Sequence, residues 1–166
     1  GSEMCIRDRN RTGEAVPMKF VIQRVSHASV TVEQEIVGSI QKGFLVLIGV
    51  NNSDTEGIAD KMLRKLLNLR IFEDENGKTN LSLKDVNGGL LLVSQFTLYA
   101  DCKKGNRPSF VKAGSPEHAE QLYEYMKHSC KKDGYPVECG IFGAHMKIEL
   151  ENNGPFTIVL DSDELM

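Results

Sequence analysis

The chain has 166 residues, 40% of them hydrophobic and 26% charged, with a formal net charge of −3. That length supports one well-buried core and is short for two domains, and the charge argues against wholesale wrapping of nucleic acid. No apolar run is long enough to cross a bilayer, and the first residues carry charges where a signal peptide needs its apolar segment, so a soluble, cytoplasmic protein is expected.

Residues 1–17 read as an expression scar or disordered leader, and Met18 as the start of one domain over 18–166. Residues 18–25 are apolar and β-branched enough for a strand. Ser26-His27 then leads into Ala28, Val30 and Val32 alternating with Ser29, Thr31 and Glu33, which predicts a hairpin with one buried face. A third short strand is expected over 35–42. Gly43 introduces the uninterrupted apolar run 44–50, a central strand. Ser53 and Glu56 fit a capping box, and a helix should follow with Ile58, Ala59, Met62, Leu63, Leu66 and Leu67 on its packed face.

Acidic or glycine-ended turns at 73–78 and 85–89 bracket a short strand. Leu90, Leu91, Leu92 and Val93 suit a strand buried on both faces, because alternation is needed only where one face meets water. Ser94, Gln95, Phe96 and Thr97 break that run where a buried strand would meet a crevice. From 102 to 116 the chain has Lys103, Lys104, Arg107 and Lys112, the aromatic Phe110 and no acidic residue, so it could hold a few phosphates or be an ordinary solvated loop. Ser115-Pro116 caps a second helix to about Lys132, packed through Ala119, Leu122, Tyr123, Met126 and Cys130 and stopped by Gly134 and Pro136. Residues 147–151, a turn at Asn152-Asn153-Gly154, and 156–161 predict a closing hairpin. Glycine followed by a buried strand recurs at Gly43 and Gly89, 46 residues apart, which suggests an internal duplication. The expected fold is a compact single α/β domain of mixed or antiparallel sheets with two main amphipathic helices.

Cys5, Cys102, Cys130 and Cys139 form no CxxC pair, and His27, His118, His128 and His145 have no HxxxH spacing, so neither a disulfide framework, a metal site nor a cofactor is expected. His118 and His128 fall in the second helix, where a solvated face is the ordinary expectation. A nucleophilic Ser94 or Thr97 would need a base, and none is apparent nearby. Backbone N–H groups at the strand end, beside a hydroxyl or amide, can instead stabilise the oxyanion of an ester under hydrolysis. Asn152-Asn153-Gly154-Pro155 taken alone is a turn with proline entering a strand.

Ser94-Gln95-Phe96-Thr97-Leu98 and Gly154-Pro155-Phe156-Thr157 resemble the two signature motifs of the D-aminoacyl-tRNA deacylases, SQFTL and a GPVT-type motif. The resemblance runs from Met18 to about Leu160 and includes the opening stretch with Arg24, the segment KGNRPSF and the segment FGAHM. It implies a homodimer in which Gly154-Pro155 of one subunit, joined by a cis bond, enters a site around Ser94, Gln95, Phe96 and Thr97 of the other. Its carbonyls would leave no room for an L side chain, while a D residue or achiral glycine fits, so the implied substrates are the acceptor ends of D-aminoacyl-tRNA and glycyl-tRNA. The resemblance further implies that Arg24 and Met146 hold the Gly-Pro segment, that Phe142 and the pocket near Phe96 receive the terminal adenosine, and that Lys103, Lys104 and Arg107 meet phosphates. Either Thr97 attacks, or water does so with help from the terminal ribose 2′-hydroxyl; with no base apparent the second is expected. Phe156 departs from the family's valine and places the bond isomer and the exclusion of L substrates in question. The competing expectations are a nucleic-acid-binding module on the same scaffold and a general small-ester hydrolase.

Overall fold

The computed structural model describes residues 17–165; Cys5 and the other residues of 1–16 lie outside the described residues. Pro17, assigned to the leader, belongs to the fold: it is buried, and its carbonyl accepts a hydrogen bond from the buried Tyr99 hydroxyl at 2.7 Å.

The first strand, β1 (Lys19–Val32), is not a hairpin but one strand of 14 residues. A strand near the C-terminus pairs with Val25 and His27 on either side of Ser26 and keeps β1 running on there, and the reversal falls instead at Glu33 and Gln34, both with positive φ. β1 pairs antiparallel with β2 (Glu35–Ile40) through its second half and with β3 (Gly43–Gly49) through its first. On its other side lies β8 (Lys147–Asp161), also continuous where a hairpin was expected. β1 supplies pairing partners to both halves of β8, so Asn152-Asn153-Gly154 makes an excursion from the ladder and not a reversal.

The remaining strands of the main sheet are β6 (Gly89–Ser94) and β7 (Val137–Cys139), giving the order β2-β1-β3-β6-β7 with β8 also on β1. β4 (Phe72–Glu73) and β5 (Thr79–Leu81) make a separate two-stranded sheet around the acidic turn. β3 and β6 are parallel neighbours, and Gly43 pairs with Gly89 and Ile48 with Ser94, the same 46-residue offset seen in the sequence. Both strands are apolar up to Ser94 because both faces are covered. Phe44, Val46, Ile48, Leu90 and Leu92 join the larger core under the helices. Leu45, Leu91 and Val93 join a second core with Val25, Ala28, Val30 and Ile40.

Helix α1 (Glu56–Asn68) buries Ala59, Met62, Leu63, Leu66 and Leu67, as its periodicity predicts. Its cap differs from the expectation. Thr55, not Ser53, accepts from the Ile58 N–H at 3.2 Å. Ser53 and Asp54 are engaged by Asn51: the Ser53 hydroxyl donates to the Asn51 side chain, and Asp54 accepts from the Asn51 N–H at 2.7 Å. Helix α2 (Pro116–Lys132) starts as predicted, with Ser115 accepting from the His118 N–H and Pro116 in the first turn, and buries the five expected residues. His118 is no solvated-face residue. It is half-buried with Nε2 2.9 Å from the Asp54 carbonyl, tying the start of α2 to the turn before α1. Among the described residues, no helix is long and apolar enough to cross a membrane.

Candidate functional site

β3 and β6 run parallel, and beyond their carboxyl ends lies a cleft of about 600 Å³. Ile48 and Val93 are part of its floor, and Ser94, Gln95, Phe96, Phe142 and Met146 contribute to its walls. Ser94 closes the ladder of β6. The Gln95 N–H donates to the Ile48 carbonyl at 2.8 Å, and a 3-10 turn over Phe96–Tyr99 follows at once. Tyr99 anchors that turn from behind. Its ring lies where a side chain on Gly49 would meet it at 3.0 Å, and its hydroxyl reaches Pro17.

The anchored turn leaves Phe96 56% exposed at the mouth of the cleft, supported by an edge-on contact with Phe110 at 5.1 Å between ring centres. The Thr97 hydroxyl accepts from the Gln95 side-chain amide at 2.6 Å. An amide donor cannot take a proton from that hydroxyl, so this contact orients Thr97 without activating it. The Phe96 and Thr97 N–H groups open the turn, where a helical segment has no internal acceptor to offer them. On the opposite wall, Gly140 makes room for Met146, whose sulfur a side chain there would meet at 2.4 Å. Phe142 tilts against Tyr123, 6.1 Å away. His145 and Phe110 also line the cleft; histidine spacing along the chain gives no signal for the first, because its neighbours in the cleft come from distant segments.

Lys103, Lys104 and Arg107 stand exposed on the loop that follows. Asp101 organises that loop from its base: it exchanges both backbone hydrogen bonds with Ser109, accepts from the Lys103 N–H at 3.0 Å and pairs with Lys112 at 3.7 Å.

Gly154 and Pro155 lie elsewhere in the chain. Arg24 pairs with Phe44 and Ser94 with Ile48, so the two sites are about 13 Å apart along β3 alone, at about 3.3 Å per residue. Between the pairs Gln23–Thr157 and Val25–Asn152, Arg24 stands alone opposite the excursion from Asn153 to Phe156. Arg24 is only 6% exposed. Its Nε donates to the Asn153 carbonyl at 3.0 Å and its Nη1 to the Ile71 carbonyl at 2.6 Å, while its guanidinium lies 4.6 Å from the centre of the Phe156 ring. Asn152 closes the excursion, accepting from the Phe156 N–H at 2.8 Å and donating to the Phe156 carbonyl at 3.1 Å. Gly154 has φ +138°, and a Cβ there would meet the Arg24 guanidinium and the Phe156 N–H at 3.1 Å. The Gly154-Pro155 bond is cis, and both residues are exposed. Within one chain, then, Arg24 reaches the Gly-Pro segment, whereas Met146 belongs to the cleft.

The family model described as D-Tyr-tRNA(Tyr) deacylase matches residues 21–161. The D-aminoacyl-tRNA deacylase of Lactobacillus acidophilus is 57% identical over 144 residues, 87% of this chain and 99% of that protein. The D-aminoacyl-tRNA deacylase of Thermosipho melanesiensis is 52% identical over 89% of this chain and 99% of its own. Among solved structures, a c-Myc DNA unwinding element binding protein is 43% identical, with a TM-score of 0.81 over 86% of this chain and 97% of that one. A probable eukaryotic D-amino acid tRNA deacylase, 19% identical, shares the fold with a TM-score of 0.75 over 87% of this chain and 98% of its own.

Proposed function

The chain belongs to the D-Tyr-tRNA(Tyr) deacylase family, and from that membership we propose that it hydrolyses the ester of D-aminoacyl-tRNA, and of glycyl-tRNA, while refusing L-aminoacyl-tRNA. One observation carries the details: the cleft walled by Ser94, Gln95 and Phe96, with Thr97 just beyond its lining, and the exposed Gly154-Pro155 segment are both built, yet lie apart in one chain. A site using both takes two chains. The reading is therefore a homodimer in which the Gly-Pro segment of one subunit closes the cleft of the other.

The cleft's volume suits the terminal adenosine with its amino acid. Phe96 and Phe142 would contain the base, and Lys103, Lys104 and Arg107 the nearby phosphates. The N–H groups of Phe96 and Thr97 are the donors for the oxyanion that forms when the ester carbonyl is attacked. Water is the nucleophile, assisted by the ribose 2′-hydroxyl, since the Thr97 hydroxyl has only an amide donor beside it. A D and an L residue carry the same groups in different directions, so a backbone wall from Gly154-Pro155, fixed by Arg24, can refuse one and admit the other. Met146 would meet that segment from the cleft side.

Incubation of the dimer with D-tyrosyl-tRNA and L-tyrosyl-tRNA at matched concentration should consume the D form and leave the L form. Equal rates, or no hydrolysis of either, overturns the reading. The likeness to a DNA unwinding element binding protein makes nucleic-acid binding without hydrolysis the competing reading. It requires binding of the DNA element and no deacylation. Cleavage of D-tyrosine ethyl ester as readily as of D-tyrosyl-tRNA would instead mark a general esterase.

A further inference from the structure

A second groove, away from the cleft, is lined by Lys61, Arg64, Lys65 and Asn68 of α1 with Arg70 just beyond it. In a chain of net charge −3 this gathers four cationic side chains against a single lining carboxylate, Glu164. Arg64 and Lys65 are exposed, and among the described residues no ion pair engages either. Arg70 is held in place by Asn80, donating from Nε to its carbonyl at 3.0 Å and from Nη2 to its side-chain oxygen, with Asp85 near enough to feel its charge. At one end Glu164 belongs to an acidic group with Asp161 and Asp163, whose carboxylate oxygens lie within 4.8 Å of one another, so a polyanion would be admitted only from the other end.

The groove is joined to the Gly-Pro segment by a short path of hydrogen bonds. Arg70 precedes Ile71, the Ile71 carbonyl holds Arg24, and Arg24 holds Asn153 beside Gly154. We propose that the groove formed by Arg64, Lys65 and Arg70 is a second phosphate-backbone contact, which takes up the acceptor arm of a tRNA whose 3′ end lies in the partner subunit's cleft. This rests on the dimeric reading above: where the Gly-Pro segment of one subunit enters the cleft of the other, the groove comes with it. Each bound tRNA is then gripped by the 103–107 loop of one subunit and by α1 of the other. The contact is electrostatic and independent of base sequence.

The test is tRNA binding by fluorescence anisotropy against salt, with uncharged tRNA as the probe, so that it does not depend on hydrolysis. Reversing both charges, Arg64→Glu with Lys65→Glu, should weaken binding at least about tenfold at 0.1 M salt and reduce the slope of log K against log[salt] by about 2, near 0.9 for each duplex phosphate contact. Arg64→Gln with Lys65→Gln keeps the helix and should give an intermediate loss. Reversal of Lys131 and Lys132 at the far end of α2 should change little. Turnover of a D-aminoacylated adenosine, too short to reach the groove, should match the parent. Unchanged affinity and slope in the Glu and Gln pairs overturns the proposal, as does an equal loss in the α2 pair. A slope change in a protein that cleaves no D-tyrosyl-tRNA would uphold the groove while removing the deacylase reading.

Discussion

At the residue scale, Asn152 decides the shape of the Gly-Pro segment. Its amide holds both the N–H and the carbonyl of Phe156, and it also donates to the Arg24 carbonyl at 3.3 Å. Arg24 braces the same excursion from beneath through Asn153 and the Phe156 ring. Phe156 is thus a floor for the guanidinium, which gives the aromatic side chain at this position a structural role. Asn152→Ala removes the side-chain partner of three backbone groups, the Phe156 N–H and the Phe156 and Arg24 carbonyls, and should cost about 2 kcal/mol in unfolding free energy. It should also lower the ratio of D-tyrosyl-tRNA to L-tyrosyl-tRNA hydrolysis at least about tenfold. Asn152→Asp keeps the acceptor for the Phe156 N–H but turns a charged oxygen toward the Phe156 and Arg24 carbonyls, so it should lower the ratio as well; an unchanged ratio in Asn152→Ala would separate the segment from chiral selection.

At the scale of elements, the parallel pair β3 and β6 places the cleft, and its closest approach is between two glycines. A Cβ on Gly43 would lie 2.0 Å from the Gly89 carbonyl oxygen and 2.7 Å from its nitrogen, both backbone atoms that cannot swing aside. Gly43→Ala must therefore spread the strands that carry Ile48 and Ser94, and should destabilise by about 3 kcal/mol in urea unfolding. Gly57→Ala is the counterpart. Its Cβ would meet only the Thr55 hydroxyl at 3.7 Å, in the first turn of α1, so it should stabilise by up to about 1 kcal/mol. Equal effects from the two substitutions would mean that the glycine contact does not set the strand spacing. The helices were legible in the sequence because a run such as Ala59, Met62, Leu63, Leu66 carries its period within two turns. The caps were half legible. Ser115 has proline beside it and no rival, whereas Ser53 competes with Thr55 and is claimed by Asn51.

For the whole molecule, several buried acids share one sign of pH dependence. Burial, with the charges of Asp133 and Cys139 adding to it, pushes the Cys130 thiol up from 9.0 to about 12. Burial likewise raises the Tyr99 and Tyr123 hydroxyls above 10.0. A group whose folded pKa is raised contributes stability that is full below its unfolded pKa and is lost as pH rises toward the folded one. The urea midpoint should therefore hold steady up to about pH 9 and fall above it, and Cys130→Ala should flatten the first part of that fall. A midpoint that rises between pH 9 and 11 would contradict the burial of these groups.

The sequence by itself determined what short-range order can encode: the two helices, the apolar runs buried on both faces, the breaks at Gly43 and Gly89, and the motif residues Ser94 to Thr97 and Gly154-Pro155. The tertiary structure decided whatever depends on residues far apart in the chain. Ser26-His27 and Asn152-Asn153-Gly154 both read locally as turns, yet each lies in a continuous strand because β1 and β8 pair along most of their length. Arg24 finds Asn153 and Ile71 only after that pairing is made, and the cleft collects Phe110, Phe142, His145 and Met146 from segments with no common period. Periodicity reports which face of an element is buried; register and long-range contact are fixed only when the faces meet.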